Sequence, residues 1–200
     1  MTETGSQTSS AVTSRDVAKG AGTTLLARLG ALMEVVAQPI YVWMFGLASY
    51  GLYAVLWAAV NLAENVADLG MTSSMQRVVP QARTPQDEVS ALRSAILLGV
   101  GPCLLLAAVA SFAAAQVAPL FNAAESDLLR LVSIISLFAW SLPLWAFVEI
   151  ATSALRSKRV FGAEIRLRIF WEQVIRLAAT TAFWLAGFST MSLFYAHLVS

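Results

Sequence analysis

Charge is what this 200-residue chain has least of. Asp, Glu, Lys and Arg make up 12% of its residues, about half the quarter or so found in soluble domains. Its 13 basic and 12 acidic side chains leave a net charge of +1, which excludes a general basic surface for nucleic acid. There is one cysteine, Cys103. A disulfide within the chain is therefore excluded, no metal cluster is suggested, and a packing role inside its apolar run is expected. The single histidine, His197, has no carboxylate or cysteine at ligand spacing and is also expected to pack. No Ser/His/Asp arrangement, Asp-rich metal motif or Gly-rich phosphate loop occurs. An enzyme is thus unsupported, and no cofactor is implied. A secretory signal peptide is not expected either, because no basic start leads closely into an apolar core and a cleavage site.

What the chain has in abundance is apolar sequence, 58% of residues with a mean hydropathy of +0.70. Runs near the roughly 20 residues needed to cross a bilayer recur along most of it. The expected fold class is all-α, a polytopic transmembrane helix bundle. Residues 1–16, rich in Ser and Thr, read as a disordered cytoplasmic tail. Residues 17–200 read as the bundle, with spans at about 21–44, 51–70, 91–117, 128–155 and 169–186. A sixth span begins near 191 and is still running at Ser200, so the chain is expected to be part of a longer protein. Pro102 and Pro143 should bend the third and fourth spans.

The lysines and arginines set an orientation. Arg15 and Lys19 flank the first span, and Arg77, Arg83 and Arg93 follow the second. Arg156, Lys158, Arg159, Arg166 and Arg168 crowd the connection after the fourth. The turns at 47–51 and 187–190 carry no charge, and the connection from Phe121 to Arg130 holds Glu125 and Asp127. This alternation predicts a cytoplasmic N-terminus.

Charges also fall inside the spans. Thr24, Arg28, Glu34 and Gln38 share an arc of roughly 120° at about 100° per residue. A central arginine costs about 2.5–3.5 kcal/mol on insertion scales. Arg28 must therefore snorkel to the headgroups or face a cavity as an anion site. In the second span Asn61, Glu64, Asn65 and Asp68 stand at i, i+3, i+4, i+7 and share one helix face. They form either a solvated helix end or the polar wall of a cavity, and Glu64 is a candidate partner for Arg28. Glu149, Thr152, Ser153 and Arg156 repeat that spacing at the end of the fourth span. Glu164, Arg168, Glu172 and Arg176 form an i, i+4 ladder, whose outer pair is expected to be solvated. Its deeper pair, Glu172 and Arg176, is a buried ion pair or a cavity wall. Tyr41, Trp43, Tyr50, Tyr53, Trp57, Trp140, Trp145, Trp171 and Trp184 gather at span ends. Most suit an interfacial belt, and any facing a polar cavity would offer rings for stacking on sugars.

One stretch carries a resemblance. FGLASYGLYAVLWAAVNLAENVADLGMTSSMQRVVP, from Phe45 to Pro80, contains a Gly-x-x-x-Tyr-Gly turn. It closes on Asp68-Leu69-Gly70-Met71 and runs through Arg77. With the basic Leu155-Arg156-Ser157-Lys158-Arg159, it resembles the N-terminal part of bacterial polysaccharide flippases. These are O-antigen and exopolysaccharide translocases of the multidrug/oligosaccharidyl-lipid/polysaccharide exporter superfamily. The resemblance implies two helix bundles around a central cavity, of which this chain would supply most of the first. It implies translocation of polyprenyl-diphosphate-linked oligosaccharide across the inner membrane by alternating access, with no covalent chemistry. The expected partners are the lipid-linked oligosaccharide, membrane lipid and polysaccharide assembly proteins. Arg28 stands where related lipid flippases carry cavity arginines, although Glu34 and Glu64 make this chain less purely cationic. The substrate-binding candidates are Arg28, Glu34, Asn61, Glu64, Asn65, Asp68, Glu149 and Arg176. A cation-coupled drug exporter of the same superfamily and a membrane scaffold or subunit are the competing readings.

Overall fold

A single glycine organises the first third of the bundle. In the computed structural model, which describes residues 14–121, 128–158 and 169–200, helix α1 spans Ser14–Ala67. It is helical throughout except at Gly46, where φ is 80° and ψ is 159°. That region of backbone space is essentially reserved for glycine. Two arms result, residues 14–45 and 47–67, and they fold back on each other. The rings of Tyr41 and Tyr50 lie 6.4 Å apart, whereas a straight helix would set those positions about 13 Å apart. Glu34 and Asn61 line the same cavity and would be about 40 Å apart on a straight helix. α1 is therefore a helical hairpin, and from Thr24 onward each arm has about the 20 residues a crossing needs.

The hairpin ends in a second reversal. Leu69 and Gly70 take positive φ, 49° and 78°, and the Asp68 carboxylate braces the turn. It accepts from the Thr72 amide at 3.0 Å and the Thr72 hydroxyl at 2.9 Å. A short helix, α2 (Met71–Val78), follows. Its Thr72 carbonyl accepts a 2.6 Å hydrogen bond from the buried Ser153 hydroxyl, tying α2 to a later helix. Thr84 and Asp87 form a reciprocal capping box that starts α3 (Pro85–Phe112), satisfying two amides the first turn would leave unpaired.

The short α4 (Ala114–Val117) precedes α5 (Leu128–Phe138) and α6 (Ser141–Ser157). These two helices together make one apolar run, Arg130–Ser157, where the fourth span was expected, with an interruption at Ala139 and Trp140. Pro143 explains the break. Having no N–H, it cannot bond to the carbonyl four residues back, that of Ala139, which accepts instead from Leu142 at 3.1 Å. Ser111 and Ser136 exchange hydroxyl-to-carbonyl bonds of 3.0 and 3.1 Å between α3 and α5. Lys158 pairs with Glu88 at the other end, so α3 runs antiparallel to the α5–α6 unit. Finally α7 (Glu172–Leu185) and α8 (Met191–Val199) form a tight pair. Gly187 and Ser189, both at positive φ, turn the chain between them.

All regular structure among the described residues is helical. Three runs are long and apolar enough to cross a membrane: Thr24–Ala67, Pro85–Phe112 and Arg130–Ser157. The protein is an all-α membrane helix bundle. Phe138, Ile150, Leu193 and Phe194 are fully buried at its centre. Leu97, Leu105, Val109 and Phe112 of α3 stay exposed, as a lipid-facing surface requires. α7 and α8 are shorter, at 14 and 9 residues. The connection holding Glu125 and Asp127 lies outside the described residues, as do Glu164 and the basic residues Arg159, Arg166 and Arg168.

Candidate functional site

The helical period brings two faces of α1 together. On the first arm Glu34, Gln38 and Tyr41 stand at i, i+4, i+7. On the returning arm Tyr50, Trp57 and Asn61 stand at i, i+7, i+11, so each set lies on one stripe. Folded about Gly46, the stripes flank a half-open cavity of about 340 Å³, with Gln173 and Arg176 of α7 on its wall and Glu34 and Gln38 at its exposed rim. At 1.5 Å per residue, Glu34 lies about 18 Å and Asn61 about 22 Å from the Gly46 turn. The hydrocarbon core is about 30 Å thick, so the cavity reaches past the middle of the membrane.

Its hydrogen-bonding groups are unevenly used. The Asn61 amide donates one N–H to the Trp57 carbonyl at 2.9 Å and keeps its oxygen and its other N–H. The Tyr41 side chain is only 5% exposed, and its hydroxyl is buried beside the hydroxyl of Thr180 on α7. Arg176, 9% exposed, is ion-paired with Glu172 one turn earlier. Its Nε donates to the Ser200 hydroxyl at 3.4 Å. The deeper pair of the sequence ladder is therefore both a buried pair and a cavity wall. Behind the cavity, the Tyr53 hydroxyl and His197 Nδ1 are 2.9 Å apart. The His197 ring packs on Trp57 with centroids 4.3 Å apart. His197 is held in an aromatic cage, which agrees with the packing role expected of it.

A family model described as polysaccharide biosynthesis protein matches residues 17–200. The chain belongs to that family. Neither a curated protein nor a solved structure matches it.

In this polysaccharide biosynthesis protein the sequence candidates separate. Glu34, Asn61 and Arg176 meet at the cavity. Asn65 is exposed, and its amide is spent on the Asn61 carbonyl at 2.7 Å. Asp68 is the brace of the turn before α2. Glu64 is buried to 6% exposure and does not line the cavity. The four-residue stripe is thus divided along its length, because the cavity ends at Asn61 and the arm then packs against α3 and α6. Glu149 belongs to α6 and is paired with Arg156 at 3.7 Å. Arg28 is exposed, lines no part of the cavity and has no ion-pair partner among the described residues. Among the described residues, the cationic side chain that lines the cavity is Arg176.

Sequence reasoning assigned Tyr41, Tyr50 and Trp57 mainly to the interfacial belt. The signal that places them here is the near-symmetric spacing of Tyr41 and Tyr50 about Gly46, legible only once Gly46 is taken as the fold point. A second cavity, of about 510 Å³, lies between α6, α7 and α8. Trp145, Thr152 and His197 line it, and Arg176 and Glu172 border it as well.

Proposed function

We propose that this protein translocates polyprenyl-diphosphate-linked oligosaccharide across the bacterial inner membrane for surface polysaccharide assembly. The observation that carries the reading is a polar and aromatic cavity built inside a membrane hairpin of a polysaccharide biosynthesis family member. A glycan cannot cross hydrocarbon unaided, since every desolvated hydroxyl costs free energy. A groove lined by Glu34, Gln38, Asn61 and tyrosines lowers that cost while the lipid tail stays in the bilayer. No bond is made or broken, so the protein acts as a transporter and not as an enzyme, and rocking of one bundle against another exposes the groove alternately. Membrane lipid and polysaccharide assembly proteins are its expected neighbours.

In this reading the N-terminus is cytoplasmic, following the distribution of basic residues. A reporter fused after Ser126 should then be active only as a periplasmic fusion; cytoplasmic activity would reverse the topology. Arg28 lies about 27 Å along its arm from Gly46, near the opposite membrane face and on an exposed side. There its fork is available to the cargo's diphosphate, which it can hold through two parallel hydrogen bonds. Arg28→Ala should lower surface polysaccharide about tenfold, measured on whole cells, with normal amounts of protein in the membrane. Wild-type export by that variant would return Arg28 to a headgroup-snorkelling role.

A further inference from the structure

We propose that the α1 hairpin cavity binds one uncharged pyranose unit of the glycan, and that the diphosphate is held elsewhere. The inference rests on the lipid-linked glycan reading above and assigns a part of that cargo to this site.

Two observations carry it. First, the cavity mixes acceptors with donors. The Glu34 carboxylate accepts, Asn61 keeps its oxygen and one N–H beyond the N–H given to the Trp57 carbonyl, and Gln38 and Gln173 add amides that do both. A diphosphate has acceptors alone and would meet Glu34 with like charge, whereas sugar hydroxyls donate and accept. Second, the one cation that lines the cavity among the described residues is already spent. Arg176 is ion-paired with Glu172, so the wall it forms is close to neutral. Tyr50 and Trp57 complete the lining with aromatic rings.

Size separates a sugar from an ion. At about 340 Å³ the cavity sits at the small end of the roughly 300–1,000 Å³ range of small-molecule sites. It suits one ring. A bare cation occupies about the space of a water, some 30 Å³, and would leave most of it unfilled. No cluster of three His, Cys, Asp or Glu exists among the described residues.

The test is saturation-transfer NMR on the purified protein in nanodiscs. The probes are methyl glycosides of neutral hexoses and N-acetylhexosamines, with inorganic pyrophosphate as competitor. At least one glycoside should bind at millimolar concentration, and pyrophosphate should not displace it. Glu34→Leu, which removes the charged acceptor, should weaken that binding about tenfold, and Asn61→Leu should weaken it by a similar factor. Continued protection of the buried Cys103 from maleimide would show that both variants are folded. Displacement by pyrophosphate, failure of every glycoside to bind, or binding indifferent to both variants would each overturn the assignment. Export separates the two proposals. Failed glycoside binding with Arg28-dependent export would sink this subsite alone. Glycoside binding with export independent of the protein would sink the transport reading alone.

Discussion

Replacing Gly30 by valine should loosen the bundle where its first helix meets α7. Gly30 is buried, and a β-carbon placed there would collide with the backbone carbonyl oxygen of Ile169. It would also lie 2.9 Å from the carbonyl carbon and 2.8 Å from the Ile169 side chain. A flexible side chain can step aside, but a peptide plane at the start of a helix can do so only by moving the helix. Overpacking typically costs about 1–3 kcal/mol, and a clash with backbone belongs at the upper end. For a chain of this size that corresponds to a melting temperature lower by about 5–10 °C. The protein carries its own reporter, since Cys103 is its single cysteine and is completely buried. Maleimide labelling of Cys103 against temperature reads unfolding directly. An unchanged labelling curve would mean that the first arm does not pack on Ile169 in the membrane.

Arg176→Leu should destabilise the protein more. The Arg176 and Glu172 side chains are 11% and 13% exposed, in a setting where solvent does little to screen or replace a lost partner. Removing one member of a buried pair typically costs about 3–5 kcal/mol, because the other charge is left without it. Replacing both members by apolar residues of similar volume is commonly neutral. Arg176→Leu should therefore lower the Cys103 labelling transition strongly. The double variant, Arg176→Leu with Glu172→Leu, should recover most of the loss. A double variant as unstable as the single one would show that Arg176 is held by other contacts and that the pair is incidental.

The sequence revealed the class of fold because membrane residence is written in composition. With so few charges, apolar runs have one common use, and the all-α bundle follows. The reversal after the first span was also legible, since Gly46 and Gly51 bracket an uncharged turn. The break at Ala139 was not. Pro143 announced a disturbance, but whether a helix bends or stops depends on which neighbours take the freed carbonyl. The candidate site was half legible for a similar reason. Helical periodicity grouped Asn61, Glu64, Asn65 and Asp68 on one face, yet periodicity carries no information on how far along that face a neighbouring helix lies. Only Asn61 meets the cavity, while Asp68 finishes the helix. Arg28 and Arg176 were indistinguishable in cost from sequence, and packing against α1 is what sets Arg176 at the cavity wall.

The Gly46 reversal also bears on how the protein enters the bilayer. Because one residue turns the chain, the two arms of α1 share no connecting loop, and residues 45–51 carry no charge. An inserting hairpin of this kind has nothing hydrophilic to push across ahead of it beyond a few backbone amides and the two hydroxyls of Ser49 and Tyr50. Both arms can leave the translocation machinery together and bury their facing stripes against each other before α3 is made. The α1 side of the polar cavity would then be assembled at the start of biogenesis, and Gln173 and Arg176 of α7 would complete its wall later.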